Sequence, residues 1–117
     1  MEDIHDRADV IVLIDAFYAK VVIDKLLAPI FSRLDLPSHL PTMYNFWCSL
    51  LLGDKSYEGN PFQKHKDLSI DSRHFARWLE LFSETVDQFY KGEKAEEIKN
   101  RAKSIGGIFQ HKMNLNT

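Results

Sequence analysis

The sequence predicts an all-α fold, and three observations carry that reading. Apolar residues recur at three- and four-residue spacing in four long stretches, no stretch alternates apolar with polar residues as a half-buried strand would, and helix-capping residues stand at the boundaries. No internal repeat or low-complexity segment divides the chain. Its 117 residues are expected to form one domain, 1–117, around one core.

In the first stretch Val10, Leu13, Ile14, Phe17, Val21 and Val22 share a side of a helix that the spacing predicts over residues 9–26. Asp9 stands where it can accept from the first exposed backbone N–H groups. The next segment, LLAPIFSRLDLP, carries two prolines and only short apolar runs, so residues 27–37 are expected to form brief one-turn helices. Ser38 is the expected N-cap of the following long helix, with Pro41 in its first turn and Gly53 at its end. His39, Met43, Trp47 and Leu50 fall at successive helical steps and share one face. DKSYEGN reads as loop, and Asn60–Pro61 as the cap and first turn of a short helix of about two turns through PFQKHKDL.

Asp71 is expected to cap the fourth pattern, whose stripe of Phe75, Trp78, Leu79, Phe82, Val86 and Phe89 ends before Gly92. From Glu93 onward Ala95, Ile98, Ala102, Ile105, Phe109 and Met113 mark a last helix with Lys and Glu opposite. Gly106 and Gly107 interrupt it at about 1 kcal/mol each in helix propensity, which close approach of another helix or a ligand would justify. The irregular connections at 27–37 and 53–70 are long for a simple bundle. Loops of that kind often hold something.

Composition narrows the classes of function. With 44% apolar and 12% aromatic residues there is material for a core and a large apolar pocket. A net charge of −2 gives no electrostatic basis for binding nucleic acid or an anionic membrane. The single cysteine, Cys48, excludes an internal disulfide and a Cys-x-x-Cys-His haem attachment, and it suits a reducing cytoplasm. The opening MEDIHDRADV is acidic where a secretory signal is basic, and the apolar run after it is broken by Asp15 and Lys20. A soluble, cytoplasmic protein is the expectation.

No Gly-rich phosphate loop, HExxH, paired cysteines or Ser-His-Asp order is present, which leaves the histidines as candidates. His5 and His111 lie among polar neighbours near the termini and read as surface residues, and His74 suits solvent or a pocket equally. His39 shares its face with Met43 and Trp47, although a histidine at a helix start is commonly half exposed. His65 lies three residues after Phe62 and three before Leu68, so all three project to one side of a short helix. Tyr18, beside Phe17, and Trp78, in mid-helix, read most simply as packed rings whose polar atoms find water or a nearby acceptor. Residue chemistry alone leaves these candidates undecided.

Four blocks join them: FYAKVVIDKLLAPIF, HLPTMYNFWCSLLLG, YEGNPFQKHKDL and HFARWLELFSETV. Their order and spacing resemble the group III truncated haemoglobins over nearly the whole chain. The resemblance implies a shortened globin in which two antiparallel helix pairs cross as a two-over-two sandwich around haem, and this accounts for the long connections. Carried over by motif, His65 matches the proximal histidine that ligates iron, His39 the distal histidine, and Tyr18 and Trp78 the polar groups over the ligand. Phe31, Met43 and Trp47 match apolar wall positions, and Leu68 closes the H-x-x-L beside the cofactor. The Gly-Gly turns of groups I and II are missing from the ends of the first and third patterns, as in group III, and Gly106–Gly107 is not that motif.

The implied cofactor is non-covalent haem b with pentacoordinate iron, and the implied ligands are dioxygen, NO and CO. Tyr and Trp donors over the ligand imply slow release. Nitric oxide dioxygenase or peroxidase-like turnover would require a separate reductase, since the chain has no flavin or nicotinamide fingerprint. Two rivals stand beside this reading. One is a cofactor-free all-α interaction module. The other is a non-haem metal site of His65 with His39 or Asp67, which lacks the usual ligand spacing.

Overall fold

A computed structural model describes residues 2–32, 35–53 and 71–112, with side chains of the last helix described as far as 108. Five helices lie within them: α1 (Arg7–Val21), α2 (Ala28–Phe31), α3 (Leu36–Leu52), α4 (Ser72–Phe89) and α5 (Glu93–Lys112). There is no strand among the described residues. Helix α1 packs on both α3 and α4, α4 pairs with α5, and α5 reaches α3, so the layers α1/α3 and α4/α5 form the two-over-two arrangement. Phe17, Phe82, Leu13, Ile14 and Ile98 are fully buried where the layers meet. The short helix expected at 61–68, with His65 and Leu68, lies outside the described residues.

Helix α1 is shorter than its apolar pattern and begins earlier. Asp6, not Asp9, is the N-cap, and its carboxylate accepts from Asp9 N at 3.1 Å. The helix stops at Val21 instead of residue 26 because Asp24 diverts the chain, accepting from Leu26 N at 3.1 Å and Leu27 N at 3.0 Å. Arg77 of α4 fixes that carboxylate from the other side, with Nε 2.7 Å from Asp24 Oδ1. Burial alone would raise the Asp24 pKa, but the Arg77 guanidinium and the two backbone donors prevail and hold it below its usual value. The expected one-turn helix in 27–37 is α2.

Helix α3 starts at Leu36, two residues ahead of the expected cap. Pro37 fits the first turn, where no backbone N–H is needed, and Ser38 instead donates its hydroxyl to Asp35 Oδ2 at 2.9 Å. Pro41 consequently falls inside the helix and not in its first turn. Gly53, at φ 75°, ends α3 as expected.

At the start of α4 the prediction holds. Asp71 caps it, accepting from Arg73 N at 2.9 Å, and His74 Nδ1 accepts in return from Asp71 N at 2.9 Å, a capping box with histidine in the place of glutamate. The apolar stripe buries Phe75, Phe82 and Val86, and it also takes in Leu81 and Thr85, whose hydroxyl donates to Leu81 O at 2.6 Å. Phe89 runs off its end and is 39% exposed.

Helix α5 starts at Glu93 as expected, but its cap comes from the far end of the chain. Gly92 precedes it with no side chain to offer, and Asp3 supplies the carboxylate, accepting from Lys94 N at 2.9 Å and Ala95 N at 2.8 Å. A Cβ on Gly92, at φ 142°, would stand 2.6 Å from Asp3 Cγ, so glycine is required there on two counts. Burial pushes the Asp3 pKa up, but the backbone donors of Lys94, Ile4 and Ala95, with His5 nearby, outweigh it and lower the net value. Asp3→Ala should therefore cost about 1–2 kcal/mol of stability in urea unfolding at neutral pH. A lowered folded-state pKa contributes stability above the unfolded value that is lost as pH falls through the folded one, so the gap between variant and parent should close in acid. A gap that persists in acid would assign the loss to packing.

Farther along α5, an added Cβ on Gly106 would touch Leu79 Cδ1 of α4 at an ordinary 3.5 Å, and one on Gly107 would meet nothing within 4 Å among the described residues.

Candidate functional site

Successive residues on a helix point about 100° apart, so α1 sends Phe17 into the helix sandwich and Tyr18 toward α2 and α3. The Tyr18 ring is 5% exposed. Its hydroxyl lies 3.1 Å from His39 Nε2 in the first turns of α3, and the two rings meet edge-on at 5.5 Å and 84°. Phe31 of α2 packs its ring against Tyr18 at 5.9 Å. Below His39, one and two turns along α3, Met43 and Trp47 are buried on the same face.

From α4, Trp78 joins through two phenylalanines. Phe17 meets it edge-on at 5.9 Å, and Phe82 stacks on it at 5.5 Å with 18° between planes. Phe82 also stacks on Trp47, at 5.0 Å and 26°. Thus Tyr18 contacts both His39 and Phe31, Phe82 stacks with both Trp47 and Trp78, and Met43 belongs to the same buried cluster. His65 and Leu68 lie outside the described residues. Phe17 and Phe82 were legible as members of apolar stripes, but nothing in their spacing marked them as the joints between candidate residues.

A tyrosine hydroxyl has one proton, and the His39 tautomer decides where it goes. With hydrogen on Nε2, the imidazole donates to Tyr18 Oη and the phenolic proton is left for a third group; with Nε2 bare, Tyr18 donates to it. Burial pushes the Tyr18 pKa well above its ordinary value, so the hydroxyl stays neutral and keeps its proton at physiological pH. Behind this pair the Asp24–Arg77 ion pair ties the α1–α2 corner to α4 beside Trp78.

The sequence profile of the bacterial-like globin family matches residues 1–114. Over 106 residues, 85% of this chain and 84% of the relative, the sequence is 37% identical to the group 3 truncated hemoglobin ctb of Campylobacter jejuni. The chain belongs to the bacterial-like globins, as a group III truncated haemoglobin. A crystal structure of group III truncated hemoglobin from Campylobacter jejuni superposes on this globin with a TM-score of 0.87 and 34% identity, covering 97% of this chain and 95% of that one. More distantly, the group 1 truncated hemoglobin GlbN of Nostoc commune is 30% identical over 88 residues, 74% of this chain and 73% of the relative.

Membership makes this a haem-binding globin, and the described residues can be tested against that cofactor. A flat apolar macrocycle needs an aromatic or aliphatic wall, and a small polar ligand on it needs a donor in otherwise dry surroundings. Phe31, Met43 and Trp47 are of the first kind, and the buried Tyr18 hydroxyl paired with His39 is of the second. The donor set fits. Among the described residues no cluster of three His, Cys, Asp or Glu side chains could hold a bare metal ion. None of their helices is long and apolar enough to cross a membrane.

Proposed function

We propose that residues 1–117 act as one globin domain in the cytoplasm, holding non-covalent haem b through His65 and binding dioxygen, with NO and CO as further ligands. The observation that carries this reading is the buried contact of Tyr18 Oη with His39 Nε2, a polar pair placed among aromatic rings. When bound, haem supplies one coordination position for a diatomic molecule.

The chain's own residues do the rest. His65 would hold the haem iron through one imidazole nitrogen while the other donates a hydrogen bond that fixes the ring. Phe31, Met43, Trp47 and Leu68 exclude water from the porphyrin faces. Tyr18 and the Trp78 indole N–H donate toward the ligand, and His39 either orients the Tyr18 proton or swings outward to admit solvent. Two donors at about 1–3 kcal/mol each in a dry site slow release by roughly one to several orders of magnitude. A pocket that holds its ligand so tightly serves transport poorly and suits redox turnover of dioxygen with NO, or of peroxide. Electrons for that chemistry come from a separate reductase.

Titration of the apoprotein with hemin tests the reading. A Soret band that saturates at an equimolar ratio is expected, and a titration with no band above free hemin would return the chain to the cofactor-free bundle.

A further inference from the structure

We propose that the stacked rings of Trp78, Phe82 and Trp47 carry an oxidising equivalent from peroxide-treated haem to Tyr44, which releases an electron inward and its proton to Asp15. The proposal rests on the haem reading above. It adds a surface site at which a one-electron donor can act.

Geometry supplies the route. Trp78 and Phe82 stack at 5.5 Å, Phe82 and Trp47 at 5.0 Å, and the planes within each pair are 18° and 26° apart. Indoles are readily oxidised, and the phenyl ring between them serves as a π bridge without being oxidised itself. Tyr44 lies three residues before Trp47 on α3, so the two side chains are neighbours on one face. The Tyr44 ring packs against the core while its hydroxyl donates across to the exposed carboxylate of Asp15 on α1.

That carboxylate is what makes Tyr44 the terminus. Losing an electron turns a phenol into a strong acid, so a tyrosine is oxidised most easily where a base receives its proton. In the resting state burial, followed by the Asp15 hydrogen bond and charge, pushes the Tyr44 pKa up to about 12, so the proton leaves only with the electron. Among the described tyrosines Tyr44 alone donates to a carboxylate: Tyr90 donates to the backbone carbonyl of Asp9, and the partner of Tyr18 is His39.

The balance closes with hydrogen peroxide as oxidant: its O–O bond breaks, and its reduction to two waters takes two electrons and two protons. Haem, when bound, would supply the site of that reduction. Tyr44 would give one electron at a time through Trp47 and Trp78, each time leaving a neutral tyrosyl radical and protonated Asp15. A small one-electron reductant at the surface restores the Tyr44–Asp15 pair after each of the two electrons, and solvent supplies the two protons.

Ferric holoprotein frozen within milliseconds of mixing with peroxide should give an electron paramagnetic resonance signal that narrows when tyrosine is ring-deuterated. Tyr44→Phe should lose that signal while keeping its Soret band and its consumption of peroxide. Asp15→Asn, which keeps the ring and removes the base, should lose it too and leave a tryptophan-centred signal; this surface variant also serves if Tyr44→Phe folds poorly. A tyrosyl signal undiminished in both variants, or a radical confined to tryptophan or Cys48 in the parent protein, overturns the proposal and leaves the haem reading intact. A parent protein with no Soret band defeats the haem reading and this proposal with it.

Discussion

Tyr18→Phe should leave haem bound and accelerate dioxygen release by about one to two orders of magnitude. The substitution removes one oxygen from a ring that is almost wholly buried, so the contacts with Phe17 and Phe31 persist and the packing cost is small. What disappears, on the proposed role, is the proton that the hydroxyl would direct at the ligand. A hydrogen bond to a partly charged acceptor in a dry site is worth about 1.5–3 kcal/mol, and each 1.4 kcal/mol is tenfold in rate. The 3.1 Å contact with His39 Nε2 is lost as well. Stopped-flow replacement of dioxygen by CO reads the release rate directly, and an unchanged rate would remove Tyr18 from the ligand cage.

His65→Ala should abolish stable retention of haem. An apolar wall alone holds a macrocycle by area, whereas the imidazole proposed as iron ligand would add a coordinate bond. The variant should emerge from gel filtration without its Soret band, while hemin with free imidazole in the buffer should restore a haem-bound form by filling the vacated position. Retention of an unaltered spectrum by His65→Ala would mean that another residue ligates iron, and would release the H-x-x-L block from its assigned role.

What the sequence allowed, and where it failed, follows from how far apart the interacting residues are. Asp71 and Gly53 work within a turn of their own helices, and both boundaries were readable. The end of α1 was not, because the Asp24 that stops the helix is held by Arg77 at a separation of 53 residues. Nor was the cap of α5, where Asp3 reaches across 91 residues to stand in for the side chain Gly92 lacks. Pro37 moved the start of α3 by fitting the first turn better than Ser38 fitted the cap.

At the site, spacing put His39, Met43 and Trp47 on one face but could not pair His39 with Tyr18, 21 residues away on another helix. The family blocks assigned both to the distal side without pairing them, and the fold brings them into contact. His65 and Leu68 were reached through the same blocks, as expectations that the variants above must test. The ring joints at Phe17 and Phe82 were hidden because a core aromatic and a bridging aromatic look alike in a stripe.

The visible spectrum of the reduced protein, recorded before and after CO, tests the central claim most directly. A haem held by one imidazole with the opposite position open gives a single broad visible band that splits into two on adding CO, with a sharpened and shifted Soret band. Two sharp visible bands already present before CO would show that a side chain occupies both positions, and the absence of any Soret band would show that the helices close on themselves without haem.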